Sequence, residues 1–157
     1  MSAPTDQPFS FPIVPRYAEI DQQGVVFNAH YLTWFDEACT AFLDGLPSQY
    51  DELLAEGLDF KVVRSEIDYL ASVRWRDAVR VLVTCERTGT TSFTLAFTVL
   101  RTGAGEVEQP AVRGRTTYVV VATSDWAKRP VPERFRAALE RTAMTPCAPA
   151  DRRGPLS

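Results

Sequence analysis

Side chains capable of catalysis gather in one short segment near the start of the chain, residues 16–31, which reads RYAEIDQQGVVFNAHY. It holds the carboxylate of Asp21, the glycine Gly24 and the only histidine of the chain, His30. A positioned carboxylate can act on an activated acyl group, either as a base toward water or as a nucleophile. Glycine is used where a ligand approaches the backbone or where φ is positive. The segment is therefore a candidate site for chemistry in which Asp21 would supply the carboxylate.

Most other catalytic systems lack their residues in this chain. A single histidine excludes a His-rich metal site within one subunit. Cys39, Cys85 and Cys147 are odd in number and far apart, which favours reduced thiols over a disulfide framework or a metal clamp. The serine-hydrolase elbow, the Walker phosphate loop and the dinucleotide fingerprint are missing from the sequence. We expect chemistry that needs no metal and no bound cofactor.

The composition is that of an ordinary soluble globular protein. The chain has 157 residues, 45% of them hydrophobic and 24% charged, which suits one domain with a real core. A net charge of -3 gives no basic field for nucleic acid, so we expect no nucleic-acid partner. The longest apolar run, residues 118–122, is far too short to cross a membrane, and the first twenty residues lack the pattern of a secretory signal. The expected location is the cytoplasm.

A long amphipathic helix is predicted directly after the Asp21 segment. From Tyr31 onward, apolar residues recur at helical spacing, and Gly45 with Pro47 ends the pattern. The first amides of a helix lack intrahelical partners, and the helix dipole favours negative charge there. Residues 28–31 are therefore expected to offer amides that can polarise a carbonyl oxygen. The apolar face is formed by Tyr31, Phe35, Ala38 and Phe42, and the polar face by Thr33, Asp36, Glu37, Thr40 and Asp44.

The remaining pattern predicts strands, with short helices between and after them. A first strand is expected over residues 11–19, limited to a sheet edge by its prolines. Alternating apolar residues predict a hairpin that turns at residues 88–91, and a switch of the apolar side between Val62 and Val63 predicts a bulge. The predicted strands are residues 59–70, 79–85, 93–99 and 112–123, and the predicted helices run from Ser48 to about Gly57 and onward from Pro132.

This order of elements predicts an α+β fold. Consecutive strands joined by hairpins favour an antiparallel sheet, and the long apolar helix needs that sheet to cover its face. We expect a single folded domain over residues 10–143. The segments 1–9 and 144–157 are rich in proline, serine and alanine without periodicity, and are expected to be flexible.

The Asp21 segment closely resembles the active-site stretch of hotdog-fold thioesterases of the 4-hydroxybenzoyl-CoA and YbgC-like group. That stretch reads D-x-x-G-[IV]-V-x-x-x-x-[FY] and is followed by an apolar helix. Two positions depart from the family pattern, Ile20 and Asn28, and both bear on the class of substrate. The matching residues are Asp21, Gly24, Val25, Val26 and Tyr31, and the resemblance continues through residues 67–70, Arg76-Asp77 and residues 129–132.

The resemblance implies a hotdog fold, an antiparallel sheet wrapped around one long central helix, and hydrolysis of an acyl-CoA to free acid and coenzyme A. It implies that Asp21 is the catalytic carboxylate and that the backbone amide of Asn28 faces the thioester oxygen. Gly24 would let the backbone approach the substrate, and Val25 and Tyr31 would line its site. It also implies a homodimer or homotetramer with the active site at a subunit interface, and coenzyme A only as part of the substrate.

Several alternatives remain open from the residues alone. Asp21 can be a turn residue, His30 a partly solvated helix start and Tyr31 a core residue. Asp36 and Glu37 are rival acids, because another lineage of hotdog thioesterases carries its acid on the central helix. An acyl-ACP substrate, a hydratase and an acyl-binding protein without turnover are the competing functions. Candidate acyl-pocket residues are Phe27, Trp34 and Tyr69, and candidate coenzyme A phosphate contacts are Arg64, Arg74, Arg76, Lys128 and Arg129.

Overall fold

The computed structural model describes residues 8–47 and 50–143. Within these residues the chain forms one five-stranded sheet, three α-helices and a short 3-10 turn at Tyr17–Glu19. The predictions for residues 1–9 and 144–157, for Ser48 and for Cys147 concern residues that lie largely outside these ranges. Phe9, which was expected to belong to a flexible segment, is the first residue of the first strand. The elements are β1 Phe9–Ile13, α1 His30–Asp44, α2 Tyr50–Ala55, β2 Leu58–Tyr69, β3 Ala78–Thr88, β4 Ser92–Thr102, β5 Gln109–Ala122 and α3 Glu133–Ala143.

The sheet is antiparallel throughout and has the strand order β1-β3-β4-β5-β2. Alternate residues of β3 and β4 are buried, as the period-two pattern predicted, and they face the apolar side of α1. The predicted α+β fold, with a sheet around one long helix, is confirmed. The buried residues of α1 are Tyr31, Trp34, Phe35, Ala38, Cys39, Phe42 and Leu43.

The helix α1 packs tightly against the sheet at Gly114 in β5. The ring of Phe35 lies directly on this glycine, so that a Cβ placed there would be 2.7 Å from the ring Cζ atom. Phe35 also stacks on Phe97 of β4, with ring centroids 4.6 Å apart. Gly114 therefore sets how deeply the central helix sits in the curve of the sheet, and so where the first turn of that helix lies.

The predicted bulge, hairpin and helices are confirmed. The pairing of β2 with β5 shifts register between Val62 and Arg64, and β3 and β4 are joined through residues 89–91. The helix α1 ends at Gly45, as predicted. Of the cysteines, Cys39 and Cys85 are buried and form no disulfide within the described residues. None of the described helices is long and apolar enough to span a membrane.

The first strand is shorter than predicted. It ends at Ile13, and Tyr17–Glu19 form a 3-10 turn where the sequence predicted strand up to residue 19. Pro15 has no N–H to donate to a ladder, and the Glu19 carboxylate accepts a hydrogen bond from the Arg16 amide at 2.8 Å. These local contacts turn the chain away from the sheet edge and toward the start of α1.

Candidate active site

Asp21 and Gly24 form a tight turn. The Asp21 carbonyl accepts a hydrogen bond from the Gly24 amide at 3.0 Å, and the Asp21 amide donates to the Val25 carbonyl at 2.9 Å. Gly24 has a φ of +79°, which glycine adopts without strain. A Cβ on Gly24 would meet no atom within 4 Å among the described residues, so the space beside the backbone is open to an approaching ligand.

The turn holds the Asp21 side chain in place. Its Oδ1 atom accepts a hydrogen bond from the Gln23 amide at 2.8 Å, and the Val25 amide lies at 3.5 Å from the same atom. Its Oδ2 atom accepts no hydrogen bond from any residue that the structure describes. One oxygen of a half-buried carboxylate is thus fixed by the backbone, while the other is available to a substrate or a water molecule.

The helix α1 begins beside this turn with its positive end uncapped. Ala29 is at the N-cap position and provides no side-chain cap, and the first turn of α1, as described in the structure, holds no acidic residue. Asn28 lies two residues before the helix and is exposed, and within the described part of the chain its amide has no acceptor. Its carbonyl accepts a hydrogen bond from the Tyr69 hydroxyl at 3.1 Å, which ties β2 to the helix start.

Tyr31 is buried in the first turn of α1, with 2% of its surface exposed. Its ring makes edge contacts with Trp34 and Tyr69, at centroid distances of 5.1 and 5.8 Å. Burial raises the pKa of the Tyr31 hydroxyl to about 12, and the nearby negative charge of Asp21 contributes to the rise. The hydroxyl is therefore protonated at neutral pH.

Glu19, the other acid of the segment, is occupied by structural contacts. Its Oε2 atom accepts a hydrogen bond from the Trp34 indole nitrogen at 2.9 Å, and its Oε1 atom accepts one from the Arg16 amide. The Glu19 carbonyl accepts from the Phe27 amide at 2.9 Å. Glu19 thus joins the turn to α1, and Asp21 is the acid of this segment with an available oxygen.

The two rival acids on α1 face different clefts. Asp36 lines a cleft of about 270 Å³ between α1 and β2. Partial burial raises the pKa of its carboxyl. Glu37 lines a separate cleft of about 320 Å³ on the β1 side of the helix. Neither cleft was evident from the helical spacing, which had indicated only a polar face.

The candidate phosphate contacts are scattered, and several are paired. Arg129 forms an ion pair with Asp125 at 2.9 Å, and Arg64 is paired with Glu66. The Arg76 guanidinium lies 4.3 Å from the ring centroid of Trp75. Among the residues that the structure describes, no three His, Cys, Asp or Glu side chains are grouped so as to hold a metal ion.

The segment before β3, residues 71–77, supports the Asp21 turn, a role that the sequence did not predict. Val26 donates its amide hydrogen to the Val73 carbonyl at 2.8 Å, and Val25 pairs with Arg74 in an antiparallel bridge. The segment has no periodic pattern, and it is some fifty residues away from the turn in the chain. Only the three-dimensional pairing reveals the contact.

Residues 23–108 match the family model described as the Thioesterase superfamily. The chain is similar to the acyl-CoA thioesterase YbgC of Haemophilus influenzae, with 38% identity over 77 residues, which are 48% of this chain and 57% of that protein. It is also similar to the putative acyl-CoA thioesterase YneP of Bacillus subtilis, with 39% identity over 54 residues, 34% of this chain and 39% of that protein. The matched region thus spans about half the length of these curated relatives.

Solved structures resemble the chain over most of its length. A hypothetical protein of Thermus thermophilus is 27% identical, with a TM-score of 0.73 over 85% of this chain and 98% of that chain. A hypothetical protein of Staphylococcus aureus, solved in complex with CoA, has a TM-score of 0.80 over 96% of this chain and 92% of that chain. That protein is 13% identical, so the likeness concerns the fold alone.

Proposed function

The chain belongs to the thioesterase superfamily, and we propose that it hydrolyses an acyl-CoA to the free acid and coenzyme A with Asp21 as the catalytic carboxylate. The observation that carries this proposal is the Asp21 turn, with one carboxylate oxygen bonded to the Gln23 amide at 2.8 Å and the turn adjoining the start of α1. The relatives named as acyl-CoA thioesterases support the choice of carrier.

In the proposed reaction the thioester carbonyl carbon is attacked beside the free oxygen of Asp21. As a base, the carboxylate takes a proton from water while the water oxygen forms the new bond to carbon; as a nucleophile, it forms an anhydride that water then opens. The carbon–sulfur bond breaks, and the coenzyme A thiolate leaves and takes up a proton. A thioester is activated enough that one positioned carboxylate suffices once its carbonyl oxygen is polarised.

Polarisation of that oxygen is assigned to the backbone at the start of α1. The amide of Asn28 is exposed and has no acceptor among the described residues, and the helix behind it lacks both a side-chain cap and a first-turn acid. Fixed amide donors aimed at a developing oxyanion are among the largest contributions to catalysis of acyl transfer. Gly24 would admit the substrate past the backbone, and Val25 and Tyr31 would border it.

The acyl group is assigned to the seam between α1 and β2. This seam runs from the Asn28–Tyr69 hydrogen bond to the cleft of about 270 Å³ that contains Asp36, Ser65 and Thr116. The cleft is mixed in character, since Leu32, Phe35 and Val62 also line it. Apolar walls with a few polar groups are typical of small-molecule sites.

The active form is proposed to be a homodimer or homotetramer. β2 is an edge strand of 12 residues that pairs with β5 on one side, and its other side is open within the described chain. Val62 and Val63 on this strand are 51% and 58% exposed, and Leu32 on α1, which lines the same cleft as Val62, is 44% exposed. An apolar open edge of this length invites pairing with a second copy about a two-fold axis. The acyl seam would then lie at the subunit interface.

The test is the Asp21→Asn variant, which keeps the shape of the side chain and the acceptor oxygen for Gln23 while removing the basic carboxylate. We expect kcat to fall by roughly 10²- to 10⁴-fold, the usual worth of a positioned base, with acyl-CoA affinity and thermal unfolding unchanged. Initial rates are measured by thiol release from benzoyl-CoA, acetyl-CoA and decanoyl-CoA. Affinity is measured by calorimetry with a non-hydrolysable thioether analogue.

Asp36→Asn and Glu37→Gln are the matched controls, because each replaces an acid on α1 with its amide. Both should reduce kcat far less than Asp21→Asn. The opposite ranking would transfer the catalytic role to the helix. If the wild-type protein binds acyl-CoA but hydrolyses none of those tested, the result would favour an acyl-binding protein. If it hydrolyses only acyl-ACP, the carrier would be ACP rather than coenzyme A.

A further inference from the structure

Asp77 holds the segment on which the Asp21 turn rests. Its Oδ2 atom accepts a hydrogen bond from the Arg74 amide at 2.8 Å, and its own amide donates to the Arg74 carbonyl at 3.1 Å. These two bonds close a turn whose third residue, Arg76, has a φ of 69°. A positive φ is costly for a residue with a side chain, so the surrounding contacts must hold the turn in this shape.

The same carboxylate oxygen is bound by a buried arginine. The Arg101 Nε atom donates to the Asp77 Oδ2 atom at 2.8 Å, and these two side chains are only 7% and 8% exposed. Burial by itself would raise the pKa of the Asp77 carboxyl, but the hydrogen bond from Arg101, with those of the backbone, lowers it below its usual value. The pair is therefore ionised and desolvated. Removing Arg101 leaves the buried Asp77 carboxylate without its cation, whereas removing Asp77 leaves Arg101 paired only with Glu106.

Arg101 lies in β4, the central strand of the sheet. The Asp21 turn, in contrast, is not part of any of the five strands. The connection runs from Arg101 to Asp77, and from Asp77 to the Arg74 amide. Arg74 pairs with Val25, and Val73 accepts the Val26 amide hydrogen at 2.8 Å. Each link is a hydrogen bond or a backbone pair, so the chain of contacts is continuous from the rigid sheet to the turn.

A second contact ties the same segment to the other side of the turn. The rings of Trp75 and Tyr17 meet edge to face, with centroids 5.4 Å apart. Tyr17 belongs to the 3-10 turn that precedes Asp21 in the chain. Residues 73–75 thus contact the chain on both sides of Asp21.

We propose that Arg101 and Asp77 are positioning residues, which fix the 73–77 segment and through it set the place of the Asp21 carboxylate. This inference rests on the proposed thioesterase function, in which Asp21 is the catalytic group. A displacement of about 1 Å at a reacting group lowers turnover by up to about 10²-fold even when the change is made far from the chemistry. Weakening of the Arg101–Asp77 ion pair therefore acts on kcat more than on substrate binding.

Glu106 provides a matched control within the same ion cluster. Its Oε2 atom binds the Nη2 atom of Arg101 at 2.8 Å, and it bonds to neither Arg74 nor the Asp21 turn in the described structure. Asp77→Asn and Glu106→Gln each remove one negative charge from Arg101. Because Asp77 is 8% and Glu106 47% exposed, the two variants differ in stability as well, and a merely structural role for the cluster predicts that kcat per folded molecule is unchanged in both. A positioning role predicts that Asp77→Asn is much the worse.

The first experiment measures kcat and KM with benzoyl-CoA and decanoyl-CoA for Asp77→Asn, Glu106→Gln and Arg101→Lys. We expect Asp77→Asn to lower kcat by roughly 10- to 100-fold with KM changed less than threefold, as a misplaced base requires. Arg101→Lys keeps the charge and should retain more of kcat than Asp77→Asn. Glu106→Gln should stay within about threefold of wild type, by the same reasoning. Equal losses for Asp77→Asn and Glu106→Gln would overturn the proposal.

The second experiment is independent of activity. Hydrogen–deuterium exchange followed by mass spectrometry reports on peptides that cover residues 18–27. Asp77→Asn should speed exchange in these peptides by about tenfold or more relative to wild type, because local opening becomes easier, whereas Glu106→Gln should leave them unchanged. Unchanged exchange at residues 18–27 in folded Asp77→Asn and Arg101→Lys proteins would refute the positioning role. If no acyl-CoA is turned over by wild type, the proposed function fails, and the exchange result still decides whether Arg101 and Asp77 hold the turn.

Discussion

Replacing Gly114 by alanine tests how the central helix is seated on the sheet. The new methyl group would lie 2.7 Å from the Phe35 Cζ atom and 3.0 Å from the Glu66 carbonyl oxygen. Carbon atoms in contact are normally about 3.5–4.0 Å apart, so Phe35 or the helix must move by about 1 Å. Because Phe35 is also stacked on Phe97, the ring has little freedom to give way.

Overpacking of this kind costs about 1–3 kcal/mol, while replacing glycine restricts the unfolded chain and returns about 0.4–1 kcal/mol. The difference between these ranges runs from about 0 to 2.6 kcal/mol, and its central part, about 1–2 kcal/mol, is the expected net loss in the free energy of unfolding. For a domain of this size each kcal/mol lowers Tm by about 2–4 °C, so Tm should fall by about 2–8 °C. Calorimetry and urea unfolding at one fixed protein concentration provide the measurement, since association would make Tm depend on concentration.

Gly45→Ala is the control for the glycine replacement itself. A Cβ on Gly45 would lie no closer than 3.5 Å to any described neighbour, and its φ is -81°, so this variant should be neutral or slightly stabilised. The double variant Gly114→Ala with Phe35→Leu should recover at least about 1 kcal/mol relative to the sum of the single changes, because the shorter side chain removes the clash. A stable Gly114→Ala protein, or strictly additive effects, would show that Phe35 does not set the depth of the helix.

Two further predictions concern assembly and metal dependence. Light scattering should show a homodimer or homotetramer at working concentration. Val63→Lys on the open edge of β2 should shift the protein toward monomer, because a charged edge strand resists pairing. A fully active wild-type monomer would contradict this prediction. Turnover should survive dialysis against EDTA, because one histidine and dispersed cysteines offer no ligand set; loss of activity that zinc restores would reject the metal-independent mechanism.

The sequence predicted the elements whose patterns are regular and local. The spacing of Tyr31, Phe35 and Phe42 predicted α1, and the alternation along β3 and β4 predicted their hairpin, because burial on one face imposes a period on the residues. The switch between Val62 and Val63 predicted the bulge in β2 for the same reason. The prediction of the first strand was wrong only beyond Ile13, where local contacts such as that between Arg16 and Glu19 decide the structure.

For the candidate site, turn chemistry and family resemblance predicted which residues belong together near Asp21, but not what holds them. The Asp21–Gly24 turn follows from residue types that favour such turns. The support from Val73 and Asp77 depends on pairing across long stretches of chain, which no local pattern records. The helix α1 starts at His30, so the Asn28 amide lies in the loop that precedes the helix. In such a loop neither residue spacing nor helix propensity predicts the position of a single residue.

The hydrogen bond from Trp34 to Glu19 gives the protein an optical reporter of its own site. The Trp34 indole is 2% exposed, whereas Trp75 and Trp126 are 45% and 53% exposed. Aqueous quenchers such as iodide quench the fluorescence of the two exposed indoles first. The fluorescence that remains then comes from the buried Trp34. Since the Trp34 nitrogen is bonded to the Glu19 carboxylate at 2.9 Å, that residual emission comes from a ring anchored two residues from Asp21. Changes in its wavelength or lifetime would follow the turn in real time during ligand binding, with no label attached to the chain.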